Sequence, residues 1–435
     1  FRSPSALNSL GAAGLILLIY SPKELFDPSF QLTFLSVLAI VTLAWPIIQN
    51  CTAIGLWRPT RTTPSPPCCS RLLKWFSETL YWSEATWQTE LDRVSHSYRL
   101  FKTPCASWLE RHHLQRLVRY VVNAVIVSLS VQVFLLPPFV VYFHRVSWSS
   151  LILNIFVSVL LAVLCFVALA AIVLSTLSVT FAAPLINLTE LLESLMVHSV
   201  DPFSRIGIAA IRLPEYSGWS SVVYLIYYLP LVVLLVRLTR WRPFELDPRP
   251  APIVPFVLLA QTILVAVVLF QPLSAGRPTG KLRVDFLDVG QGDAALITMP
   301  DGVTLLVDGG GRPNFASSGD AGGRDVRSIG QMVVAEYLWW RGLDSVDYVL
   351  ATHADADHID GLNDVVRNFK VRGALVGRTP ANDAEFKKFA NSLQTTHTDL
   401  EVVQAGDVLD FGNVKVKILW PVGLGQPPAQ LITIQ

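Results

Sequence analysis

Charged side chains are scarce in this sequence. They make up 15% of its 435 residues, whereas hydrophobic residues make up 52%. A soluble globular domain has roughly a quarter of its residues charged. So little charge argues against an ordinary soluble protein and is typical of a chain that lies largely within a membrane.

Cysteine is also sparse, and its spacing excludes two further classes. The five cysteines all lie in the first half of the chain: Cys51, Cys68, Cys69, Cys105 and Cys165. They form no pair of spaced doublets of the kind that binds structural zinc, and they are too few for a dense disulfide framework. Neither a zinc-finger type of protein nor a small disulfide-rich one is therefore indicated.

The formal net charge of +1 conceals a division of the chain. Residues 1–280 contain 20 basic and 13 acidic side chains, and residues 281–435 contain 14 and 20, which gives net charges of +7 and −6. Such an asymmetry predicts two domains that lie in different surroundings. The acidic second part also lacks the basic surface that contacts with nucleic-acid phosphates usually require.

Long apolar runs occupy the basic part. They lie near residues 6–20, 30–49, 117–143, 148–182, 219–236 and 252–270. A helix needs about 20 apolar residues to cross the hydrocarbon core, so we expect six to eight membrane spans within a polytopic domain over residues 1–275. The run 148–182 is too long for one untilted helix, and "LLPPF" at 135–139 is expected to break another.

Two polar segments interrupt these runs. A tryptophan-bearing insert near residues 50–116 is expected to be cytoplasmic or interfacial. The segment 237–252 carries four arginines, and short arginine-rich loops stay on the cytoplasmic side. The last span then leads outward, which predicts an extracytoplasmic or periplasmic position for residues 281–435.

The polar span residues Gln31 and Asn154 either line a hydrophilic path or pack helices together, whereas His144 and Arg145 are typical of a short loop.

After residue 280 the pattern changes to short strands. The segments "KLRVDFLDV", "AALITM", "TLLVD" and "DYVLA" alternate with glycine-bearing turns and with a helical stretch near 326–341. This pattern predicts a soluble domain of mixed α and β structure over residues 281–435. The chain opens at Phe1 without a methionine and closes within this domain, so we expect a fragment whose second domain is incomplete.

The polar run "THADADHIDGL" at 352–362 directly follows the apolar strand "DYVLA". His353 and His358 offer ring nitrogens, and Asp355 and Asp357 offer carboxylate oxygens, a set that suits one or two divalent ions around a bridging water. The alternative is that aspartates such as Asp360 cap a helix that begins near Gly361 while the histidines are solvated. A single cap leaves the crowding of the other polar groups unexplained.

"HADADH" resembles the His-x-His-x-Asp-His motif of metallo-β-lactamase-fold hydrolases, with Asp355 in place of the second histidine. The segments "FLDVGQGDAALI", "LLVDGGG" and "YLWWRGL" are similar to other parts of that domain, and "FDPSFQLTFLSVLAI" and "VVYFHRVSWSSLILN" to a competence region. The combination resembles the ComEC competence family. It implies a polytopic α-helical membrane domain followed by an αββα metallo-β-lactamase-like domain, here truncated at its C-terminus.

The resemblance also implies roles for individual residues. It carries over four metal ligands: His353, Asp355, Asp357 and His358. Catalysis would depend on Asp357 and His358, Asp308 would orient ligands from a neighbouring strand, and Asp293 would lie beside the site. Aspartate in place of histidine favours harder ions, so manganese or magnesium is as plausible as zinc. His397 has no counterpart in the motif and is expected to be a solvated surface residue.

The function that the resemblance implies is uptake of DNA across the inner membrane during natural transformation. Single-stranded DNA would pass through the membrane domain while a metal-dependent nuclease domain degrades the other strand. The implied partners are DNA and membrane lipid, and other competence proteins or a second copy of the chain stay open. Two alternatives are a membrane-anchored hydrolase of a small phosphoester and a transport protein whose second domain only docks.

Overall fold

In the computed structural model the chain forms two compact units. One comprises Phe1–Ile211 and Val223–Phe270, and the other Arg212–Val222 and Gln271–Gln435. The structure describes residues 6–58, 63, 65–83, 104–205, 210–244, 253–274, 280–311, 328–380, 382–412, 414–420 and 432–434. The centre of the polar insert, residues 84–103, and part of the arginine-rich segment, residues 245–252, lie outside them.

The first unit is built from helices. They are α1 (Ala6–Tyr20), α2 (Pro28–Gly55), α3 (Arg71–Tyr81), α4 (Pro104–Arg111), α5 (Gln115–Phe143), α6 (Ser150–Ser175), α7 (Val179–His198), α8 (Asp201–Arg205), α9 (Val222–Arg240) and α10 (Ile253–Phe270), with a 3-10 turn at Pro22–Phe26. A second 3-10 turn, Gly218–Ser221, precedes α9 and is grouped with the second unit. Two short strands, β1 (Arg145–Val146) and β2 (Ile211–Arg212), lie between them. The predicted polar insert thus contributes the helices α3 and α4.

Six helical segments in the described part of the chain are long and apolar enough to cross a membrane: Pro28–Gly55, Gln115–Phe143, Ser150–Ser175, Val179–Phe203, Gly218–Arg240 and Ile253–Phe270. The long run 148–182 is indeed divided, because a turn after Ser175 separates α6 from α7. The apolar helix α1 has 15 residues, which is short for a span. The structure therefore gives a multi-pass membrane unit.

The expected break at "LLPPF" is wrong, since α5 continues through Pro137 and Pro138 to Phe143. A proline in a helix leaves the carbonyl four residues earlier without its N–H donor. Those two carbonyls belong to Val133 and Phe134, and each accepts a hydrogen bond from a tyrosine of α9. Tyr227 Oη donates to Val133 O at 2.6 Å. Tyr228 Oη donates to Phe134 O at 2.9 Å. Side chains from another helix thus replace both missing donors.

This arrangement predicts that the two tyrosine hydroxyls stabilise the membrane unit. Replacing both with phenylalanine should lower the free energy of unfolding by about 1–2 kcal/mol, because two carbonyls in an apolar setting lose their donors. Thermal unfolding in detergent micelles measures the change. Tyr20→Phe is the matched control, since Tyr20 is 90% exposed at the end of α1.

A double-mutant cycle makes the same prediction sharper. With Pro137→Ala and Pro138→Ala, the helix regains its own N–H donors for both carbonyls. The cost of Tyr→Phe should then shrink. An equal cost in both backgrounds would mean that the tyrosines stabilise the unit by packing rather than by replacing the missing donors.

The polar span residues take part in hydrogen bonds within the first unit. Gln31 accepts from Tyr142 Oη at 2.7 Å and donates to Leu25 O at 2.8 Å. Asn154 Nδ2 donates to Ser128 Oγ at 3.3 Å. These contacts support the helix-packing interpretation of both residues. His144 ends α5 in a left-handed conformation, as expected for a short loop.

The second unit contains two sheets. The first has six strands in the order β3-β4-β5-β6-β7-β8: β3 (Arg283–Phe286), β4 (Ala295–Thr298), β5 (Thr304–Val307), β6 (Ser345–Ala351), β7 (Lys370–Val376) and β8 (Asp399–Val402). The pairs from β3 to β5 are antiparallel and those from β5 to β8 are parallel. The second sheet has the order β11-β10-β9, with β9 (Val408–Phe411), β10 (Val414–Ile418) and β11 (Ile432–Ile434). The strands predicted from sequence correspond to β3 to β6.

The six-stranded sheet is covered on both faces. One core contains Leu296, Val349 and Ile359, and helices pack on this side: a π-helical turn Gly330–Ala335 leading into α11 (Glu336–Trp340), then α12 (Ala356–Asn368) and α13 (Ala384–Thr396). The other core contains Leu350 and Val416, which places the second sheet on the opposite face. The layers among the described residues therefore run helix, sheet, sheet, which are three of the four layers of the expected αββα metallo-β-lactamase-like domain.

Candidate metal centre

Two parallel strands place residues of the candidate site at one edge of the sheet. β5 ends at Val307, beside Leu350 of β6, so Asp308 and Thr352 follow neighbouring strands. The amide of Asp308 donates to Leu350 O at 2.8 Å. Because the carboxyl ends of parallel strands meet at the same edge, residues far apart in sequence converge there.

Helix α12 supplies the remaining side chains and begins earlier than expected. Its first residue is Ala356, its N-cap is Asp355, and Gly361 lies inside it. The expectation of a helix that starts near Gly361 is therefore wrong. Among the described residues, the Asp355 side chain accepts no capping hydrogen bond, and it is 74% exposed. Its carboxylate thus remains available to a ligand.

Close backbone packing explains why a glycine lies inside α12. A Cβ atom on Gly361 would stand 1.9 Å from Gly309 O, far inside contact distance. The loop after β5 therefore lies directly on the helix, and Gly309 N donates to His358 O at 2.8 Å. The contact brings Asp308 and His358 together, which explains the glycine-rich "VDGGG" sequence.

The "DVGQGD" segment approaches the same helix in a similar way. Gly292 has a φ of +78°, and a Cβ there would stand 1.6 Å from Asp357 O. Asp293 follows directly, and its Oδ2 lies 4.0 Å from His358 Nδ1. Its side chain is 77% exposed. Asp293 thus lies beside the histidines without a short contact to them.

Asp308 is the buried centre of the hydrogen-bond network. It is 1% exposed and has a φ of +55°, a conformation that costs a non-glycine residue energy. Its Oδ1 accepts from Thr352 N at 2.8 Å. Its Oδ2 accepts from Thr352 Oγ1 at 2.6 Å and lies 2.9 Å from His358 Nδ1. The carboxylate therefore orients the residues that follow β6.

The two histidines lie against each other, with ring centroids 3.9 Å apart. His353 Nε2 lies 3.4 Å from Asp355 Oδ2, and His358 Nε2 lies 3.8 Å from Asp357 Oδ2. Each histidine Nε2 atom thus lies near a different carboxylate. Nitrogen and oxygen donors of this kind suit a divalent metal ion such as zinc or manganese.

The two histidines also form a close group with Asp308: Asp308, His353 and His358 offer ligand atoms within 4.8 Å of one another. The donor set as a whole therefore fits a divalent metal ion. Since Asp308 already accepts three hydrogen bonds, its geometry matches an orienting residue better than a ligand.

Asp308 also changes the acidity of His358. The hydrogen bond from the ring to this carboxylate raises the pKa of His358 above its ordinary value of 6.5, and burial opposes the rise. A raised folded-state pKa means that the protonated ring stabilises the fold below the ordinary pKa. This contribution is lost as the pH rises through the raised value.

In the metal-free protein we therefore expect His358→Gln to destabilise the fold more below pH 6.5 than at alkaline pH. Thermal midpoints measured across this range for the wild type and the variant provide the test. His397→Asn is the control, because His397 is exposed and left-handed at the end of α13, a conformation that asparagine tolerates. A difference that stays constant with pH would contradict the assigned interaction.

Thr352 is the functional candidate that the sequence did not single out. It contacts both Asp308 and His353, the latter with 2.9 Å between Thr352 Oγ1 and His353 Nδ1. Its position directly before His353, at the end of β6, was the available signal. The exposed side chain of His397 agrees with its interpretation as a surface histidine.

The described geometry gives a candidate divalent-metal site in the second unit, and the first unit is a multi-pass membrane unit. Comparison with known proteins divides the chain into the same two parts. Residues 1–238 match the family model for competence protein, and residues 287–413 match that of the metallo-β-lactamase superfamily. The chain belongs to the competence protein family.

Two curated proteins are similar to this chain. "ComE operon protein 3" of Bacillus subtilis (strain 168) is 23% identical over 299 residues, which are 68% of this chain and 36% of that protein. "Uncharacterized protein YcaI" of Escherichia coli (strain K12) is 26% identical over 270 residues, 60% of this chain and 30% of that protein. The chain thus spans about a third of the length of these relatives.

Proposed function

We propose that this protein takes up DNA across the inner membrane during natural transformation. Single-stranded DNA passes through the membrane unit, and the metal-dependent domain degrades the other strand. The observation that carries the proposal is the combination of a competence-family match over 1–238 with a histidine and aspartate cluster in the metallo-β-lactamase domain. The first supports the uptake step, and the second supports hydrolysis of a phosphoester.

Within the metal domain we assign as ligands the two histidines and the carboxylate nearest to the Nε2 atom of each: His353, Asp355, Asp357 and His358. These residues would hold a divalent ion, which would supply Lewis acidity toward a water and toward the negative charge of a phosphoester. Asp308 orients the His358 ring through its contact with Nδ1, the ring nitrogen other than the proposed ligand atom. Asp357 and His358 lie in the first turn of α12 with 3.8 Å between Asp357 Oδ2 and His358 Nε2. By the motif resemblance, they are the residues on which hydrolysis should depend most.

One observation favours a second candidate function. The second part of the chain has a net charge of −6, which disfavours a long phosphate backbone more than a small substrate. A membrane-anchored hydrolase of a small phosphoester would fit that charge. Such a protein would cleave small phosphoesters but not DNA, and cells without it would take up DNA normally.

The experiment that tests uptake is deletion of the gene in the natural host under competence-inducing conditions. Recovery of labelled DNA from the cytoplasm should be lost and should return with the wild-type gene. Normal recovery in the deletion strain would reject the uptake proposal and favour the small-substrate hydrolase. Binding of DNA to the cell surface is measured in parallel, since it should be unaffected.

The arginines of the segment 237–252, which begins in the last turn of α9, predict the orientation of the metal domain. A reporter enzyme active only outside the cytoplasm should be active when fused after residue 280 and silent when fused near residue 245. The reverse pattern would place the metal domain in the cytoplasm. A cytoplasmic reporter fused at the same two positions is the control and should give complementary signals.

A further inference from the structure

We propose that the Thr352 hydroxyl is a positioning group that sets which nitrogen of His353 can bind a metal ion. It acts together with Asp308, and the two groups determine which ring nitrogen carries the proton in both histidines of the site. The proposal rests on the metal centre of the proposed function but concerns a residue outside the ligand set. Thr352 Oγ1 lies 2.6 Å from Asp308 Oδ2 and 2.9 Å from His353 Nδ1.

Counting protons fixes the direction of these hydrogen bonds. An ionised carboxylate only accepts, and a threonine hydroxyl has a single proton to donate. Asp308 accepts from Thr352 N, from Thr352 Oγ1 and from His358 Nδ1, as an ionised carboxylate does. The Thr352 proton therefore points to Asp308, and the hydroxyl oxygen can only accept from the ring of His353.

It follows that His353 carries its proton on Nδ1 and its lone pair on Nε2. His358 is assigned in the same way, because its Nδ1 donates directly to Asp308. Both Nε2 atoms lie next to carboxylates, His353 Nε2 at 3.4 Å from Asp355 and His358 Nε2 at 3.8 Å from Asp357. One hydroxyl and one carboxylate thus leave the lone pair of each ring on the nitrogen that lies next to an aspartate.

Valine in place of Thr352 keeps the branched shape and removes both hydrogen bonds of the hydroxyl. His353 Nδ1 then loses the Thr352 hydroxyl as an acceptor, and the ring can adopt the other tautomer or rotate. Serine keeps the hydroxyl and is the matched control. Loss of such an outer partner typically weakens metal binding about 10–100-fold, and we expect that range for Thr352→Val.

The test uses the full-length protein in detergent micelles with zinc and manganese as separate probes. Dissociation constants measured against a competing chelator should rise about 10–100-fold in Thr352→Val and return close to the wild type in Thr352→Ser. In the metal-free proteins, nitrogen NMR with labelled histidine should find the proton of His353 on Nδ1 in the wild type and in Thr352→Ser. This assignment should be lost in Thr352→Val. A His353→Asn variant identifies the signal.

Each outcome bears on the proposal. A wild-type His353 that carries its proton on Nε2 overturns it, even if Thr352→Val does not fold. Wild-type metal affinity in Thr352→Val, or no recovery in Thr352→Ser, overturns it as well. If the wild type binds neither zinc nor manganese, the metal centre of the proposed function fails, while the NMR assignment still decides the role of Thr352.

Discussion

His358→Ala should lower the affinity for a divalent metal ion by more than about 100-fold, since loss of an outer partner alone typically costs about 10–100-fold. The substitution removes a proposed ligand and also removes a hydrogen-bond donor from Asp308, which is 1% exposed. A buried carboxylate that loses a donor destabilises its surroundings. We therefore expect weaker metal binding together with a modest loss of stability, measured by chelator competition and by thermal unfolding.

The control for this prediction is His397→Asn, which changes an exposed histidine in the same unit. Metal affinity and stability should match those of the wild type. Unchanged metal stoichiometry and affinity in His358→Ala would contradict the metal centre. The polar residues around the start of α12 would then serve only the structure of the helix end.

Asp357→Ala should reduce metal-dependent cleavage of DNA and should lower transformation by duplex DNA more than transformation by single-stranded DNA. Asp357 Oδ2 lies 3.8 Å from His358 Nε2, and its loss removes a carboxylate from the proposed ligand face. The change should act on the chemical step, so the maximal cleavage rate should fall more than the affinity for DNA. Single-stranded DNA needs no removal of a second strand and should be affected less.

Asp344→Ala is the matched control, because Asp344 is an exposed aspartate that precedes the opposite end of β6. It should leave cleavage and transformation unchanged. Transformation that requires the protein but is indifferent to Asp357→Ala, for both forms of DNA, would reduce the metal domain to a docking module. Cleavage of a small phosphoester without cleavage of DNA would favour the alternative hydrolase.

Local sequence patterns predicted the first four strands of the second unit, β3 to β6, but not β7 to β11. Short apolar runs bounded by glycines became β3 to β6, and the polar run after β6 lies at the carboxyl end of a parallel strand. The position of His353 and His358 at one edge of the sheet follows from that pattern. Asp308 lies more than 40 residues earlier, and its place beside them was expected only from the family resemblance; the parallel pairing of β5 and β6 brings it there.

Contacts between distant segments account for the two wrong predictions. Gly361 resembles a helix boundary in sequence, but it lies inside α12 because Gly309 requires its small size. Pro137 and Pro138 resemble a helix break. The carbonyls that lose their N–H donors accept instead from tyrosine hydroxyls that lie 94 residues further along the chain from those carbonyls. Neither partner can be inferred from the local sequence. The role of Thr352 could not be predicted from the local sequence either, because it depends on the tertiary position of Asp308.

The most direct test of the proposed function follows each strand of imported DNA separately. Duplex DNA labelled on one strand or on the other is offered to competent cells, and label is recovered from the cytoplasm as intact polymer or as small fragments outside the cell. In wild-type cells each imported molecule should contribute one intact strand, with fragments of its complement outside, and Asp357→Ala should suppress both. Intact recovery of both strands of the same molecule, or unchanged import and degradation in cells without the protein, would contradict the account.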